Sequence, residues 1–388
     1  MATVVYPYTQ YSGIWNISSQ ANAKGAGTWP AAYNSVSLFS WGANPAGNLG
    51  LGNTTYYSSP KQVGSSAWVT ISAGAPGNFC LATKGDGTLW SWGANGQGQL
   101  GFNNTTNYSS PKQVGALTNW SKVSAGSEHT LAIKTNGTLW AWGYNATGQL
   151  GLGNTGYFSS PNQVGSLTTW SAISAGFRSS LAVRTDGTLW SWGRNDFGQL
   201  GLGNTTNYSS PKQVGALTAW LVVASGTYYS FSVKTDGTLW AWGKNTQGQL
   251  GLSNTTNYSS PKQVGALTAW YQVEGGGSTA QTLATKTDGT LWSWGNNSYG
   301  ELGLGNTTSY SSPKQIGALT DWLSITCGTY NSCLATRTNG TLWSWGNNTQ
   351  GILGLGSLTD FSSPKQVGAL TTWSKVSAGE SWAVALTS

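Results

Sequence analysis

Few residues in this chain could support acid–base chemistry. The single histidine, His129, directly follows Glu128, and Arg178 lies further along the chain. A histidine beside a carboxylate can move protons near neutral pH, since imidazole titrates in that range. Glu128, His129 and Arg178 therefore form the one acid–base constellation that the sequence offers.

The remaining carboxylates and cysteines predict no metal or cofactor. Asp86, Asp186, Asp236 and Asp288 recur in the same short turn phrase and are interpreted as turn residues. No cluster of cysteine and histidine matches a zinc site, and no acidic loop matches a calcium site.

Two further interpretations concern cysteines and carboxylates. Three cysteines are too few for a disulfide framework. Cys327 and Cys333 flank one tight loop, so they are either small buried residues or a cross-strand bridge. A carbohydrate-active enzyme would need two carboxylates about 5–10 Å apart, for which the candidates are Glu128, Asp196 and Glu380.

The elements that position these residues follow from a repeat. A Trp-Gly pair, preceded by a second aromatic residue and Ser or Ala, recurs seven times between Trp41 and Gly346 at steps of 50–52 residues. A fixed period of this size indicates one supersecondary unit repeated. Each copy contains short alternating runs bounded by Gly, Asn and Pro, which predict four strands, A to D.

Four-stranded units repeated seven times predict an all-β fold, a seven-bladed β-propeller. The first copy begins at strand C, near Ser37, and the last copy contains only strands A and B, from Trp373. The two partial copies would therefore form one blade. We expect two regions, a non-repeating leader at residues 1–36 and the propeller at residues 37–388.

The repeat resembles a known family. Ala-Gly-x-x-His-Thr-Leu-Ala, followed by Gly-x-Leu-Trp-x-Trp-Gly-x-Asn-x-x-Gly-Gln-Leu-Gly, is similar to the regulator-of-chromosome-condensation repeat. The resemblance implies the same propeller but no single function, since the family includes a nucleotide exchange factor, a plant photoreceptor and a secreted β-lactamase inhibitor. The family pattern also has His at the position of His129, which implies a structural role for it. The uniform spacing leaves no room for an exchange-factor wedge, and the photoreceptor's tryptophan cluster is not matched.

The seven copies differ from one another mainly in two places. These are the A–B connections and the residues that follow Trp-Gly, which both emerge at one end of an up-and-down sheet. Divergence at one end of a constant scaffold is typical of a binding surface. The predicted partner-binding face comprises Phe79, Glu128, His129, Tyr144, Phe177, Arg178, Arg194, Asp196, Phe197, Tyr228, Tyr229, Lys244, Tyr299, Tyr330 and Trp382.

The leader suggests an attachment role. Trp15 and Trp29 stand in a Gly/Ser/Ala background that cannot bury a core of its own, so we expect them to act as anchors. The phrase Gly27-Thr-Trp-Pro30 is similar to leaders of structural proteins from bacterial viruses. No conventional signal peptide is visible.

These observations favour a non-enzymatic binding protein. Our first expectation is a virion component that presents its variable face to a protein or cell-surface glycan and contacts other virion proteins through the leader. The alternative is a cytoplasmic protein-interaction scaffold or a relative of guanine-nucleotide exchange factors. The net charge of +7 is spread around the repeats, so no nucleic-acid partner is expected. No apolar run is long enough to predict a membrane span.

Overall fold

A computed structural model describes residues 36–65, 67–277 and 280–388. The anchor residues Trp15 and Trp29 lie outside the described residues, and the predicted boundary after residue 36 stays a prediction. Within the described ranges the structure has 28 strands. They are β1 (Leu38–Gly42), β2 (Tyr57–Gln62), β3 (Trp68–Ala73), β4 (Phe79–Lys84), β5 (Leu89–Gly93), β6 (Tyr108–Gln113), β7 (Trp120–Ala125), β8 (His129–Lys134), β9 (Leu139–Gly143), β10 (Phe158–Gln163), β11 (Trp170–Ala175), β12 (Ser179–Arg184), β13 (Leu189–Gly193), β14 (Tyr208–Gln213), β15 (Trp220–Ser225), β16 (Tyr229–Lys234), β17 (Leu239–Gly243), β18 (Tyr258–Gln263), β19 (Trp270–Gly275), β20 (Gln281–Lys286), β21 (Leu291–Gly295), β22 (Tyr310–Gln315), β23 (Trp322–Cys327), β24 (Ser332–Arg337), β25 (Leu342–Gly346), β26 (Phe361–Gln366), β27 (Trp373–Ala378) and β28 (Trp382–Thr387).

The strands form seven antiparallel sheets of four, which confirms the predicted propeller. Blades 1 to 6 each contain four consecutive strands, from β3–β6 to β23–β26. Blade 7 has the order β2-β1-β28-β27, so the two ends of the described chain share one sheet. In each blade the strands A to D run in order, and the A strands of neighbouring blades contact one another around the axis of the ring.

The second tryptophan of every strand C joins its blade to the preceding one by a hydrogen bond. Trp142 is fully buried, and its indole N–H donates to the carbonyl oxygen of Gln99 at 2.9 Å. The other six copies make the same bond. Burying one such ring removes about 150–250 Å² from water, roughly 4–6 kcal/mol before entropy is counted. The repeated tryptophans therefore form the contacts between blades.

The turn between strands B and C is built the same way in blades 1 to 6. In blade 1, Gly87 adopts φ +77°, which a tight hairpin needs. Asp86 accepts from the hydroxyl of Thr88 at 2.6 Å, and Thr88 accepts from the indole N–H of Trp90 at 2.9 Å. This turn explains why the aspartates repeat, and it fixes the outer tryptophan of strand C.

Hydroxyl side chains join neighbouring A strands. The backbone N–H of Ala125 donates to Ser72 Oγ at 3.0 Å, and that of Ala175 donates to Ser124 Oγ at 2.9 Å. Equivalent bonds link blades 6, 7 and 1. These bonds hold the inner ring at a fixed radius and so fix the loops above it.

Candidate partner-binding surface

The two variable segments of each blade lie at the same end of the ring, which we call the variable end. The backbone N–H after Trp-Gly donates to a carbonyl of the A–B connection, as Tyr144 does to Glu128 at 2.8 Å and Lys244 to Tyr228 at 2.9 Å. Each divergent residue of one connection is therefore held beside a divergent residue of the other.

Tyr228 is the centre of a group of side chains from blades 3 and 4. Its ring lies 5.6 Å from that of Phe177 and 5.1 Å from that of Phe197. The guanidinium carbon of Arg194 lies 5.2 Å from the Tyr228 ring centroid, and Lys244 Nζ lies 5.6 Å from it. Cations this close to an aromatic face are attracted to it, so the group is ordered by contacts between its own members.

A second group joins blades 2 and 3. The Arg178 guanidinium lies 4.6 Å from the Tyr144 ring and 5.1 Å from the Phe177 ring. It also pairs with Glu128 at 3.6 Å. Tyr144 in turn packs on Tyr157 with ring centroids 4.7 Å apart. Because Phe177 belongs to both groups, they form one continuous surface.

We call this surface the cation–aromatic cluster. Asp196 completes it and pairs with Arg194. Its members are Glu128, Tyr144, Tyr157, Phe177, Arg178, Arg194, Asp196, Phe197, Tyr228 and Lys244. The three cations exceed the two carboxylates, and most of the side chains are partly exposed. Sequence reasoning missed Tyr157, which is 51% exposed and comes from the C–D connection.

Tyr299 and Tyr330 lie elsewhere at the variable end. Both are exposed, on blades 5 and 6. Tyr330 pairs with Glu380, whose carboxylate also accepts from the amide of Asn78 at 2.9 Å. Among the described residues, no ring contact joins either tyrosine to the cluster. Glu128, Asp196 and Glu380 are thus each held by a different neighbour, not as a pair of carboxylates.

Four residues predicted for the partner-binding face cannot contact a partner, and here the sequence interpretation needs correction. Phe79, His129, Tyr229 and Trp382 are at most 2% exposed. Each opens a strand B and inserts its side chain between blades; the Tyr229 hydroxyl, for example, bonds to backbone carbonyls of blade 5. They diverge in sequence because each fills a differently shaped gap.

His129 illustrates this buried role. Its Nε2 lies 3.0 Å from Ser180 Oγ on blade 3. The Ser180 hydroxyl donates to the Gln149 carbonyl at 2.7 Å, so the imidazole N–H must be the donor to the serine. Burial lowers the pKa of His129 to about 3. A buried neutral imidazole that donates to its serine cannot act as the base of an acid–base site.

Cys327 and Cys333 face each other directly in the register of β23 and β24. Their sulfurs are 3.0 Å apart, both groups are thiols, and both are buried. Burial raises the pKa of Cys333 well above its usual range. The two alternatives drawn from the sequence are therefore compatible, since these buried residues are also positioned to form a bridge.

The described part of the chain offers neither a metal site nor a membrane helix. No group of three or more His, Cys, Asp or Glu residues there is arranged to hold a metal ion. No helix in those ranges is long and apolar enough to cross a membrane.

The fold and its repeat define a class, the seven-bladed propellers with an internal repeat of about 50 residues. The family model described as RCC1-like domain matches residues 23–280, and the regulator of chromosome condensation (RCC1) repeat matches residues 288–335 and 339–386. The chain therefore belongs to the RCC1 repeat family, as its sequence suggested.

Individual relatives match over short stretches. Mouse protein RCC2 is 40% identical over 95 residues, which is 24% of this chain and 18% of that protein. The ultraviolet-B receptor UVR8 of Arabidopsis thaliana is 34% identical over 97 residues, 24% of this chain and 22% of the receptor. The alignments thus span about a fifth of these relatives.

Solved structures match over nearly the whole fold. Human WBSCR16 superposes with a TM-score of 0.80 at 24% identity, covering 91% of this chain and 99% of that one. Prp20p from Saccharomyces cerevisiae gives 0.79 at 21% identity, covering 92% of each chain. At these identities the likeness shows the fold.

The expectation of a virion location is wrong. The matching relatives are RCC1-family proteins of mouse, human and yeast, which are cellular organisms and not viruses. They favour the alternative expectation over a virion component. The similarity of the leader to viral proteins was a short match and carries no weight beside a family match that covers most of the chain.

Proposed function

We propose that this protein is a non-enzymatic protein-interaction scaffold whose cation–aromatic cluster binds a partner protein. The observation that carries the proposal is the cluster itself. Partly exposed tyrosine, phenylalanine and arginine side chains from three blades form one surface on a rigid support. Tyrosine and arginine are enriched in the residues that dominate binding energy, because each combines a large contact area with polar groups.

The family is consistent with this proposal. Yeast Prp20p has binding properties toward Gsp1p and histones, and yeast RCC1 has been crystallised with Kap60. Nucleotide exchange is the less favoured function, because the regular repeat spacing leaves no inserted wedge. The binding described for the yeast protein is to proteins, so we take a protein, not a glycan, as the partner class.

The experiment compares three forms of the protein as baits in quantitative affinity capture from cells. Tyr228→Ala removes the centre of the cluster. Tyr271→Ala is the matched control, since Tyr271 is 38% exposed at the start of a strand A, at the opposite end of the ring. A true partner is captured by the wild type and by Tyr271→Ala but lost with Tyr228→Ala.

Binding to the purified partner then gives the magnitude. A central aromatic anchor is worth about 2 kcal/mol or more, so Tyr228→Ala should weaken binding by about 30-fold. Arg178→Ala should weaken binding of the same partner, because Arg178 orders the other half of the cluster. If every partner is retained equally by both tyrosine variants, the cluster is not the binding surface. Stimulated nucleotide release from a small GTPase would favour exchange instead.

A further inference from the structure

Six blades hold a cation against one or both rings of a tryptophan pair at the end opposite the variable end. In blade 2, Lys134 Nζ lies 3.6 Å from the Trp140 ring centroid and 4.8 Å from that of Trp120. Lysine is closest in these sites, whereas Arg184 and Arg337 lie 5.7 Å or more from their rings. The cations are Lys84, Lys134, Arg184, Lys234, Lys286 and Arg337.

Blade 7 keeps the ring pair but supplies no cation. Trp373 and Phe39 meet edge to face at 5.2 Å and 72°, much as the tryptophan pairs do in the other blades. The residue paired with Trp373 in the register is Thr387, where blade 2 has Lys134. No lysine or arginine of the described residues lies over either ring of this pair.

The ring pair of blade 7 borders a surface groove. A groove of about 380 Å³ lies between blades 6 and 7 and is lined by Phe39, Pro60, Leu355, Leu370 and Trp373, among others. It lies where Phe39 replaces the larger indole that the other six blades have in strand C. Phe39 and Trp373 both line this groove, and Thr387 is the register partner of Trp373.

We propose that this groove, which we call the seam site, binds the ammonium group of a lysine side chain from a partner protein. The six other blades show which chemistry the ring pair accepts, since each one holds an ammonium or guanidinium group on the equivalent rings. An ammonium group is attracted to aromatic faces, and the four-carbon stem of lysine packs on apolar groove walls. The site lies at the seam and does not involve the cation–aromatic cluster.

Nearby lysines do not exclude such a guest. Lys61 and Lys365 lie beside the groove in sequence, but their Nζ atoms lie 5.5 and 5.4 Å from the rings of Tyr57 and Phe361. The same strand D lysine recurs in other blades: in blade 1, Lys112 lies over Tyr108 while Lys84 stays over Trp90. A strand D lysine is thus compatible with a second ammonium group over the aromatic pair of the same blade.

The test uses the whole protein with ¹⁵N-labelled indoles, in which Trp373→Phe assigns the Trp373 N–H signal. N-acetyl-lysine methylamide is titrated against N-acetyl-norleucine methylamide, which lacks the ammonium group. The lysine probe should shift the Trp373 signal and bind about fivefold more tightly than norleucine, the ratio that a cation–π contact of about 1 kcal/mol gives. Equal binding of the two probes, or no shift with either, overturns the proposal.

Two variants at one position locate the effect. Thr387→Lys supplies the missing cation from the protein itself and should weaken binding of the lysine probe at least about tenfold. Thr387→Val removes the hydroxyl that accepts from the backbone N–H of Ser37 at 3.1 Å but adds no charge, so probe binding should persist. If Thr387→Lys does not fold, Phe39→Trp fills the groove and should have the same effect. Undiminished binding in the variant that folds refutes the seam site.

Discussion

The buried residues that open strand B and insert between blades, which we call wedge residues, give a prediction that tests the fold directly. They include Phe79, His129, Tyr229 and Trp382. Tyr229 inserts between blades 4 and 5 because Gly226, at the end of the preceding strand A, leaves room for its ring. A Cβ atom at Gly226 would lie 2.4 Å from the Tyr229 ring. The φ of Gly226 is not positive, and the three heavy atoms nearest to this Cβ all belong to the Tyr229 ring, so the ring is the main obstacle to alanine.

The clash sets the expected magnitude. Overpacking of a rigid core typically costs about 1–3 kcal/mol. The Tyr229 ring is held in place by two hydrogen bonds of its hydroxyl, so we expect a cost at the upper end of this range. Gly226→Ala should therefore destabilise the protein by about 2–3 kcal/mol, a fall in melting temperature of about 3–4 °C for a fold of this size. The measurement is calorimetric melting of the whole chain.

A double variant and a control decide the cause. Tyr229→Ser imitates blade 3, which has Ser179 at this position, and in that background Gly226→Ala should cost less than it does in the wild type. Gly96→Ala is the control, because a Cβ there meets nothing within 4 Å, and its effect should stay within about 0.5 kcal/mol. If Gly226→Ala costs as much in the Tyr229→Ser variant as in the wild type, the glycine does not make room for the ring and the wedge interpretation is wrong.

Three further predictions concern titratable groups. Burial holds the pKa of His129 at about 3, below its unfolded value of 6.5, so the stability it contributes is lost as pH falls below 6.5. Between pH 6.5 and 4.5 the wild type should lose about 2–3 kcal/mol more than His129→Gln in denaturant titrations. Desolvation by the neighbouring strands raises the pKa of Glu274 to about 7. The stability that the protonated carboxyl contributes is lost as pH rises from 4.5 through 7, so Glu274→Gln should raise the melting temperature at pH 8 more than at pH 5. Diamide should join Cys327 to Cys333, faster at higher pH, with loss of two thiols in mass spectrometry; no bridge in the native protein would contradict the register.

The fold could be predicted from the sequence because the signal was repeated. A single copy of Leu-Trp-Ala-Trp-Gly is weak evidence, but seven copies at one period leave few architectures. The closure of blade 7 was predictable because the first copy lacks strands A and B and the last copy lacks strands C and D. The cluster around Tyr228 was also predictable in outline, since alternation and up-and-down topology place both variable segments at one end.

Sequence divergence alone could not separate surface residues from wedges. Tyr228 and Tyr229 are adjacent, and both differ between copies, yet one lies in the cluster and the other between blades. What separates them is their position relative to strand B, since Tyr229 opens the strand and Tyr228 precedes it in the A–B connection. Tyr157 was missed for the opposite reason, because it lies at the end of the C–D connection, after residues that recur in most copies.

Variation among the copies thus has three physical origins. Wedges such as Tyr229 vary because each gap between blades is filled from the inside, and the glycine opposite makes several ring shapes acceptable. Cluster residues such as Tyr228 vary at the surface, where nothing in the scaffold requires them to differ. Phe39 and Thr387 differ from their counterparts at a third place, the seam, where blade 7 is assembled from both ends of the described chain. The first kind should affect stability alone and the second binding alone. The third should affect both, because a cation added at Thr387 would stabilise the ring pair and occupy the seam site at once.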